Sequence, residues 1–287
     1  MTPGAAEGRL LIVTADYFGI GMETSRGIID AARDGPVTAT SALVVAEQCE
    51  RSMALLPAAP GLELGLHLAL TGRFRPLMAT PASGFVGRDG RFGGLAGLAL
   101  ACGLRRASRA ALRDEIAAQA ERLRRLAGRP LAHFDGHHHV HELPVVREVV
   151  AELSRAGGLP LATRVTAEPP GVRAGVPGER LRRAAIDGLG RWARAGFEAA
   201  GLRMNDAAFS TLRPSATGFP WQAHLAHLPP GGAVEWIVHP GRPDPTIHGT
   251  DGYVEARVVE WRALIAPEHR PLWERLAWRR GGKSALP

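Results

Sequence analysis

Short apolar runs alternate with longer segments of helical period along most of the chain, and several of the runs end in an acid or a histidine. Leu10 to Ala15 leads into Asp16, Leu62 to Leu66 into His67, Leu131 to Phe134 into Asp135, and Val234 to Val238 into His239. Runs of this length, rich in aliphatic and β-branched residues, predict buried strands, and Thr38 to Val45 predicts another. Between them, Ser25 to Asp34 places Ile28, Ile29 and Ala32 on one side of a short helix. Arg109 to Leu126 repeats Leu112, Ile116, Ala120, Leu123 and Leu126 at spacings of three and four, an amphipathic helix. Val145 to Arg155 predicts the next helix, opened by Pro144, whose missing N–H costs least in a first turn.

Strand and helix in alternation imply a parallel sheet covered by helices. An open sheet gathers its chemistry at one switch point, whereas a barrel turns the C-terminal end of every strand toward one mouth. The runs that end in an acid or histidine extend from Asp16 to His239, so the prediction is an α/β, barrel-like (β/α) fold with parallel strands. It forms a single domain over residues 1–287. Two Gly- and Pro-rich stretches, 72–103 and 168–178, read as irregular excursions, and the basic, then Gly-rich tail 278–287 is expected to fray.

Composition narrows the function classes. With 287 residues and 45% hydrophobic content, the chain can bury a sizeable core. Its net charge of +7 is carried by arginines, Lys283 excepted, interleaved with acids, and aromatics are only 6%, so no nucleic-acid partner is expected. Cys49 and Cys102 stand far apart, outside any metal or redox spacing, and read as buried, reduced thiols. No apolar run approaches the roughly 20 residues of a membrane span, and no targeting segment is visible, so the expected location is cytoplasmic.

The densest chemistry is Asp135-Gly136-His137-His138-His139-Val140-His141. Four imidazoles in five residues invite a divalent transition metal. In an extended chain, alternation would put Asp135, His137, His139 and His141 on one face, with Gly136 and His138 on the other. Two neutral imidazoles and a carboxylate can hold such an ion with positions left for water, and a second carboxylate can then act as base, which is machinery for cleaving amides or esters. His239 precedes Pro240, which favours an extended backbone there.

Six blocks in consistent order carry a family resemblance: residues 11–19 (Leu-Ile-Val-Thr-Ala-Asp-Tyr-Phe-Gly), Gly27-Ile28-Ile29, Val37 to Ser41, Gly65-Leu66-His67-Leu68, Phe134 to His141, and Val238-His239-Pro240. From about Leu10 to Pro240 the chain resembles the YdjC-type carbohydrate deacetylases, which include chitooligosaccharide deacetylases and a branch associated with hopanoid biosynthesis. The resemblance implies a barrel-like α/β fold and metal-dependent removal of acetyl from an acetylated amino sugar, free or within a glycoconjugate. It matches the family's metal histidines to His67 and His137, and its catalytic base to Asp16. On this basis a divalent metal (Zn, Mg or similar) polarises the acetyl carbonyl, Asp16 takes a proton from water, and His239 protonates the departing amine. Asp135 holds the second nitrogen of an imidazole, and Tyr17, His139 and His141 stand beside substrate or metal. A homodimer is expected from what such enzymes often form.

The chain departs from the pattern at one position. Where the family has a second Asp, its metal-binding carboxylate, this chain has Tyr17. A phenol with a pKa near 10 supplies no anionic oxygen at pH 7 unless a metal displaces its proton, so weakened metal affinity is expected. Three arrangements follow: Asp16 turns to ligate and leaves the base role to water or a histidine, Tyr17 binds as phenolate, or the chain is a catalytically impaired sugar-binding homologue that has lost its metal.

Overall fold

A computed structural model describes residues 9–169, 180–210, 225, 228, 231–249, 252–274 and 278–287. Its strands are β1 (Arg9–Phe18), β2 (Ala39–Ala42), β3 (Glu63–Leu68), β4 (His133–Gly136), β5 (Ala162–Thr163), β6 (Arg203–Met204), β7 (Ala207–Ser210), β8 (Gly232–Val238) and β9 (Arg279–Arg280). The order across the sheet is β6-β5-β4-β3-β2-β1-β8-β7, with β9 also paired to β1, and the ladders between these strands are parallel. Helices over Met22–Arg33, Arg109–Ala127, Pro144–Arg155, Arg180–Ala199 and Val254–Ile265 alternate with the strands. This is the predicted α/β, barrel-like arrangement, a half-barrel with flanking helices.

The sheet curls because its two edges are consecutive in the chain. Only Asn205 and Asp206 separate β6 from β7. Asn205 exchanges two hydrogen bonds with the backbone of Val165, and Asp206 N donates to Ala233 O, so this short connection ties the β5 side to the β8 side. At the centre, β1 is buried on both faces through Leu11, Ile12 and Val13, as a covered parallel strand requires. No described helix is long and apolar enough to cross a membrane.

The helix Arg109–Ala127 shows how the 72–103 excursion is held. Ser108 Oγ caps it by accepting from Ala111 N, and Gly128, at φ 61°, ends it in the left-handed conformation glycine tolerates. Its apolar stripe of Leu112, Ile116, Ala120 and Leu123 is fully buried, and so are Glu115 and Gln119 on the same face. Glu115 accepts from the backbone N–H groups of Leu77, Met78 and Ala79, while Gln119 bonds both ways with the backbone of Ala69. The excursion is thus anchored, with a helix of its own over Leu95–Gly103. The second excursion, 168–178, lies outside the described residues from 170 onward.

The tail does not fray. Arg279 and Arg280 pair with Leu10 and Leu11 as β9, Arg203 donates to Ser284 O and Leu286 O, and Lys283 and Leu286 are buried. The expectation from local composition fails because the partners that hold the tail come from β1, β6 and β8, far away in sequence.

Close packing between β3 and β4 leaves no room at Gly65, where an added Cβ would lie 2.3 Å from the His133 ring. Gly65→Ala is expected to destabilise the fold by about 1–3 kcal/mol, the usual cost of overpacking a core, and urea unfolding measures it.

Candidate active site

The C-terminal ends of β1, β3, β4 and β8 surround one cavity of about 810 Å3. Asp16, Tyr17, His67, His137, His139 and His239 all line it, together with Phe74 and Tyr253. Strand register does most of the gathering. Asp16 lies opposite Ser41 on β2, and His67 lies opposite Asp135 on β4.

Two local departures from regular strand set the rest. The β1–β2 register shifts between Asp16 and Phe18, and Tyr17 takes φ 75°, so two consecutive side chains face the same cavity instead of opposite sides of the sheet. After Gly136 the chain leaves the strand for a tight turn, His137–Glu142, in which His138 and His139 are left-handed at φ 54° and 57°. The extended reading of this segment is therefore corrected. His137 meets Tyr17, whereas His141 turns behind the strand, fully buried, and shares a hydrogen bond with Arg164 O through Nε2. His141 does not line the cavity.

Beneath the cavity lies a buried network of charge. Arg164 chelates Asp16, with Nη2 to Oδ1 at 2.7 Å and Nη1 to Oδ2 at 2.8 Å, and also donates to Glu235 Oε1. Its Nη2 is 3.2 Å from Asp135 Oδ2. Lys283 Nζ is 2.9 Å from Glu235 Oε1 and 3.5 Å from Asp135 Oδ2. Burial would raise the Asp16 carboxyl, but the charge and hydrogen bonds of Arg164 together with His67 outweigh it and hold the group down at about 2. Burial likewise opposes ionisation of Asp135, and Arg164 and Lys283 together hold that carboxyl well below the ordinary range. Three carboxylates facing two cations leave one net negative charge, apart from any charge on His67.

His67 is fixed by this network. Its Nδ1 lies 2.7 Å from Asp135 Oδ1 and 3.2 Å from Ser41 Oγ. An ionised Asp135 accepts from Nδ1–H, which leaves the lone pair on Nε2. That Nε2 is buried and has no hydrogen-bond partner among the described residues. His137 Nδ1 is 2.9 Å from the Tyr17 hydroxyl, and burial with the neighbouring His138 and His67 keeps its ring neutral. The Tyr17 ring sits 4.7 Å from His67 and 5.7 Å from His239, with the Arg257 guanidinium 4.6 Å above it. Glu260 accepts from His239 N.

Asp16, His67 and Asp135 offer ligand atoms within 4.8 Å of one another, a spacing suited to a metal ion. The carboxylates of that group, however, already face Arg164 and Lys283, and an added cation there would meet both. The donors on the cavity side fit a divalent cation better: an orphaned lone pair on His67 Nε2 and the neutral ring of His137. The Tyr17 hydroxyl stands beside them, on His137 Nδ1.

Sequence reasoning missed Arg164, Glu235, Lys283, Ser41 and Glu260. Two of them carried a readable signal. Glu235 interrupts the apolar run Ala233 to Val238, and Arg164 sits between Thr163 and Val165. A charge in a buried strand demands a counter-charge. For Lys283 there was no such sign.

Comparison with known proteins identifies the family and the fold. The model of the YdjC-like protein family matches residues 10–275. A chitooligosaccharide deacetylase of Yersinia pestis (strain Pestoides F) is 30% identical over 276 residues, covering 95% of this chain and 97% of that relative. One from Yersinia pseudotuberculosis serotype O:1b (strain IP 31758) gives the same figures. A crystal structure from Enterococcus faecalis V583, of a protein named for cellobiose-phosphate cleavage, superposes with a TM-score of 0.74 at 22% identity, covering 97% of this chain and 99% of that one, and thus shares the fold.

The buried histidines make stability depend on pH. Burial pushes His133 down to about 3 and His141 down to about 4, and His137 and His139 well below the ordinary 6.5. Each contributes stability that is complete above its unfolded pKa and lost as pH falls through the folded one. Glu142 acts in the opposite sense, since burial raises it from 4.5 to about 7 and its contribution is lost as pH rises through 7. Four groups outweigh one, so the Tm is expected to fall steadily between about pH 6.5 and pH 4. Calorimetry across that interval checks this, and a flat Tm would contradict it.

Proposed function

The chain belongs to the family of YdjC-like proteins, and from that membership and the site geometry we propose that it hydrolyses the N-acetyl group of an acetylated amino sugar with the aid of a divalent cation. The observation that carries this reading is the convergence of Asp16, His67, His137 and His239 on one cavity, with a buried lone pair on His67 Nε2 that has no partner among the described residues. The 30% identity to chitooligosaccharide deacetylases over nearly the whole chain supports the substrate class. A single domain over residues 1–287, a cytoplasmic location and a homodimer rest on the sequence alone.

His67 and His137 would hold the cation, with the Tyr17 hydroxyl beside them. Bound there, a divalent cation supplies Lewis acidity toward the acetyl carbonyl and the attacking water. Phe74 and Tyr253 give aromatic walls against which the C–H face of a sugar ring packs. Asp16, ionised and clamped by Arg164, accepts the proton that water loses as its oxygen attacks the carbonyl carbon. Held at about 2, it is a weak base and takes that proton only from strongly acidified water. When the C–N bond breaks, a proton from the His239 imidazole goes to the leaving amine and acetate departs. Glu260 Oε2 lies 4.0 Å from His239 Nδ1.

A second reading has its own observation. The Tyr17 hydroxyl occupies Nδ1 of His137, the imidazole that the family resemblance assigns to the metal. On that reading the chain is a sugar-binding member that no longer cleaves.

Acetate release from N-acetylglucosamine oligomers, with metal content measured in parallel, separates the two. Activity is expected that a chelator abolishes and that His137→Ala reduces by roughly 100-fold or more, as loss of a group that acts in the transition state does. Tyr17→Asp is expected to raise metal affinity on the order of tenfold or more. Oligosaccharide binding without acetate release or metal uptake in the natural chain would overturn the hydrolase and leave the sugar-binding reading.

A further inference from the structure

Lys283 is the one lysine in a chain with 35 Lys and Arg residues, and its side chain is wholly buried. It stands beyond residue 275, where the match to the family ends. The segment that carries it is tied down on several sides: Arg279 and Arg280 pair with Leu10 and Leu11, Ser284 N donates to Glu63 Oε2, and Arg203 donates to Ser284 O and Leu286 O. Gly282 packs so tightly on Glu63 that an added Cβ would lie 2.0 Å from its carboxyl carbon. Because Leu10 and Leu11 open β1 whereas Asp16 lies near its end, the tail approaches from the end of the sheet opposite the cavity.

From there Nζ reaches Glu235 Oε1 at 2.9 Å and Asp135 Oδ2 at 3.5 Å, as ion pairs without the alignment of hydrogen bonds. An ammonium taken out of water is costly unless carboxylates meet it, and here two do. A lysine also suits the place, since its thin stem ends in a compact charge that can thread between strands where a guanidinium already fills the centre. Without it, Arg164 alone would face Asp16, Asp135 and Glu235. Asp135 touches His67 Nδ1 at 2.7 Å, closer than Ser41 Oγ at 3.2 Å. Lys283 is absent from the residues that line the cavity.

We propose that the C-terminal segment completes the active site from below, and that Lys283 is a positioning residue whose ammonium holds Asp135 in place and thereby sets the direction and tautomer of the His67 ring. The effect on turnover rests on the deacetylase reading, but the effect on the His67 ring does not.

The test uses Lys283→Met, which keeps the stem and removes the charge, and the double variant Lys283→Met with Glu235→Gln, which restores the balance by removing one carboxylate. Long-range 1H–15N NMR of the metal-free full chain reads the His67 tautomer, and deacetylation kinetics are measured beside it. In the natural chain His67 is expected as the Nδ1–H tautomer. In Lys283→Met that signal is expected to become mixed, with kcat lower by about 10- to 100-fold, the usual effect of losing a group behind a ligand, and KM within about twofold. The double variant is expected to recover both. A folded Lys283→Met with the natural tautomer and kcat would overturn the proposal. If Lys283→Met does not fold, Lys283→Gln is read in its place by the same criteria: a mixed His67 tautomer supports the proposal and the natural tautomer with the natural kcat overturns it. Should the natural chain show no deacetylation, the hydrolase reading fails while the NMR result still judges Lys283.

Discussion

A parallel strand covered on both faces offers no water to its charged residues, and the chemistry of this site follows from how that problem is met. Asp16, Asp135 and Glu235 stand on β1, β4 and β8 with essentially no exposure, where isolated carboxylates would protonate or unfold the sheet. The Arg164 guanidinium resolves this by geometry, using its fixed fork to chelate Asp16 while still reaching Glu235 and Asp135. Lys283 adds the second positive charge from the other side. The result is a rigid, nearly balanced floor under a cavity whose walls are imidazoles and aromatic rings.

That floor gives the two candidate carboxylates different parts. Asp135 faces an imidazole and orients it, while Asp16 presents ionised oxygens that Arg164 and Ser41 hold still. Proton affinity is given up for order: a carboxylate held near 2 is a poor base by itself. Tyr17 stands at the centre of the cavity's ring of imidazoles. Its bulged backbone brings the phenol among His67, His137 and His239, and it supplies there a neutral oxygen where the family resemblance leads one to expect an anionic one.

Much of this was legible before any coordinates. Apolar runs ending in Asp16, His67, Asp135 and His239 marked the strand ends, and a parallel barrel turns such ends toward one mouth. The turn after Gly136 was not legible, because the partners that hold it are remote in sequence: Tyr17 meets His137, Thr71 meets His138 and Arg164 O meets His141. The polar residues on the buried face of Arg109–Ala127 were hidden too, since Glu115 and Gln119 look like solvent-facing residues of an amphipathic helix until Leu77 to Ala79 and Ala69 fold onto them.

The sequence by itself determined the strand-helix alternation, the barrel class, the family resemblance and the strand ends that carry Asp16, His67 and His239, because hydrophobic period and short motifs are properties of neighbouring residues. Only the tertiary structure decided which charges are matched and which nitrogens are left open. Asp16 and Arg164 are 148 residues apart, and Lys283 lies in a tail whose composition reads as disordered. Coulombic pairing acts through space and leaves no period along the chain, so a cation's partners appear only once the strands are side by side.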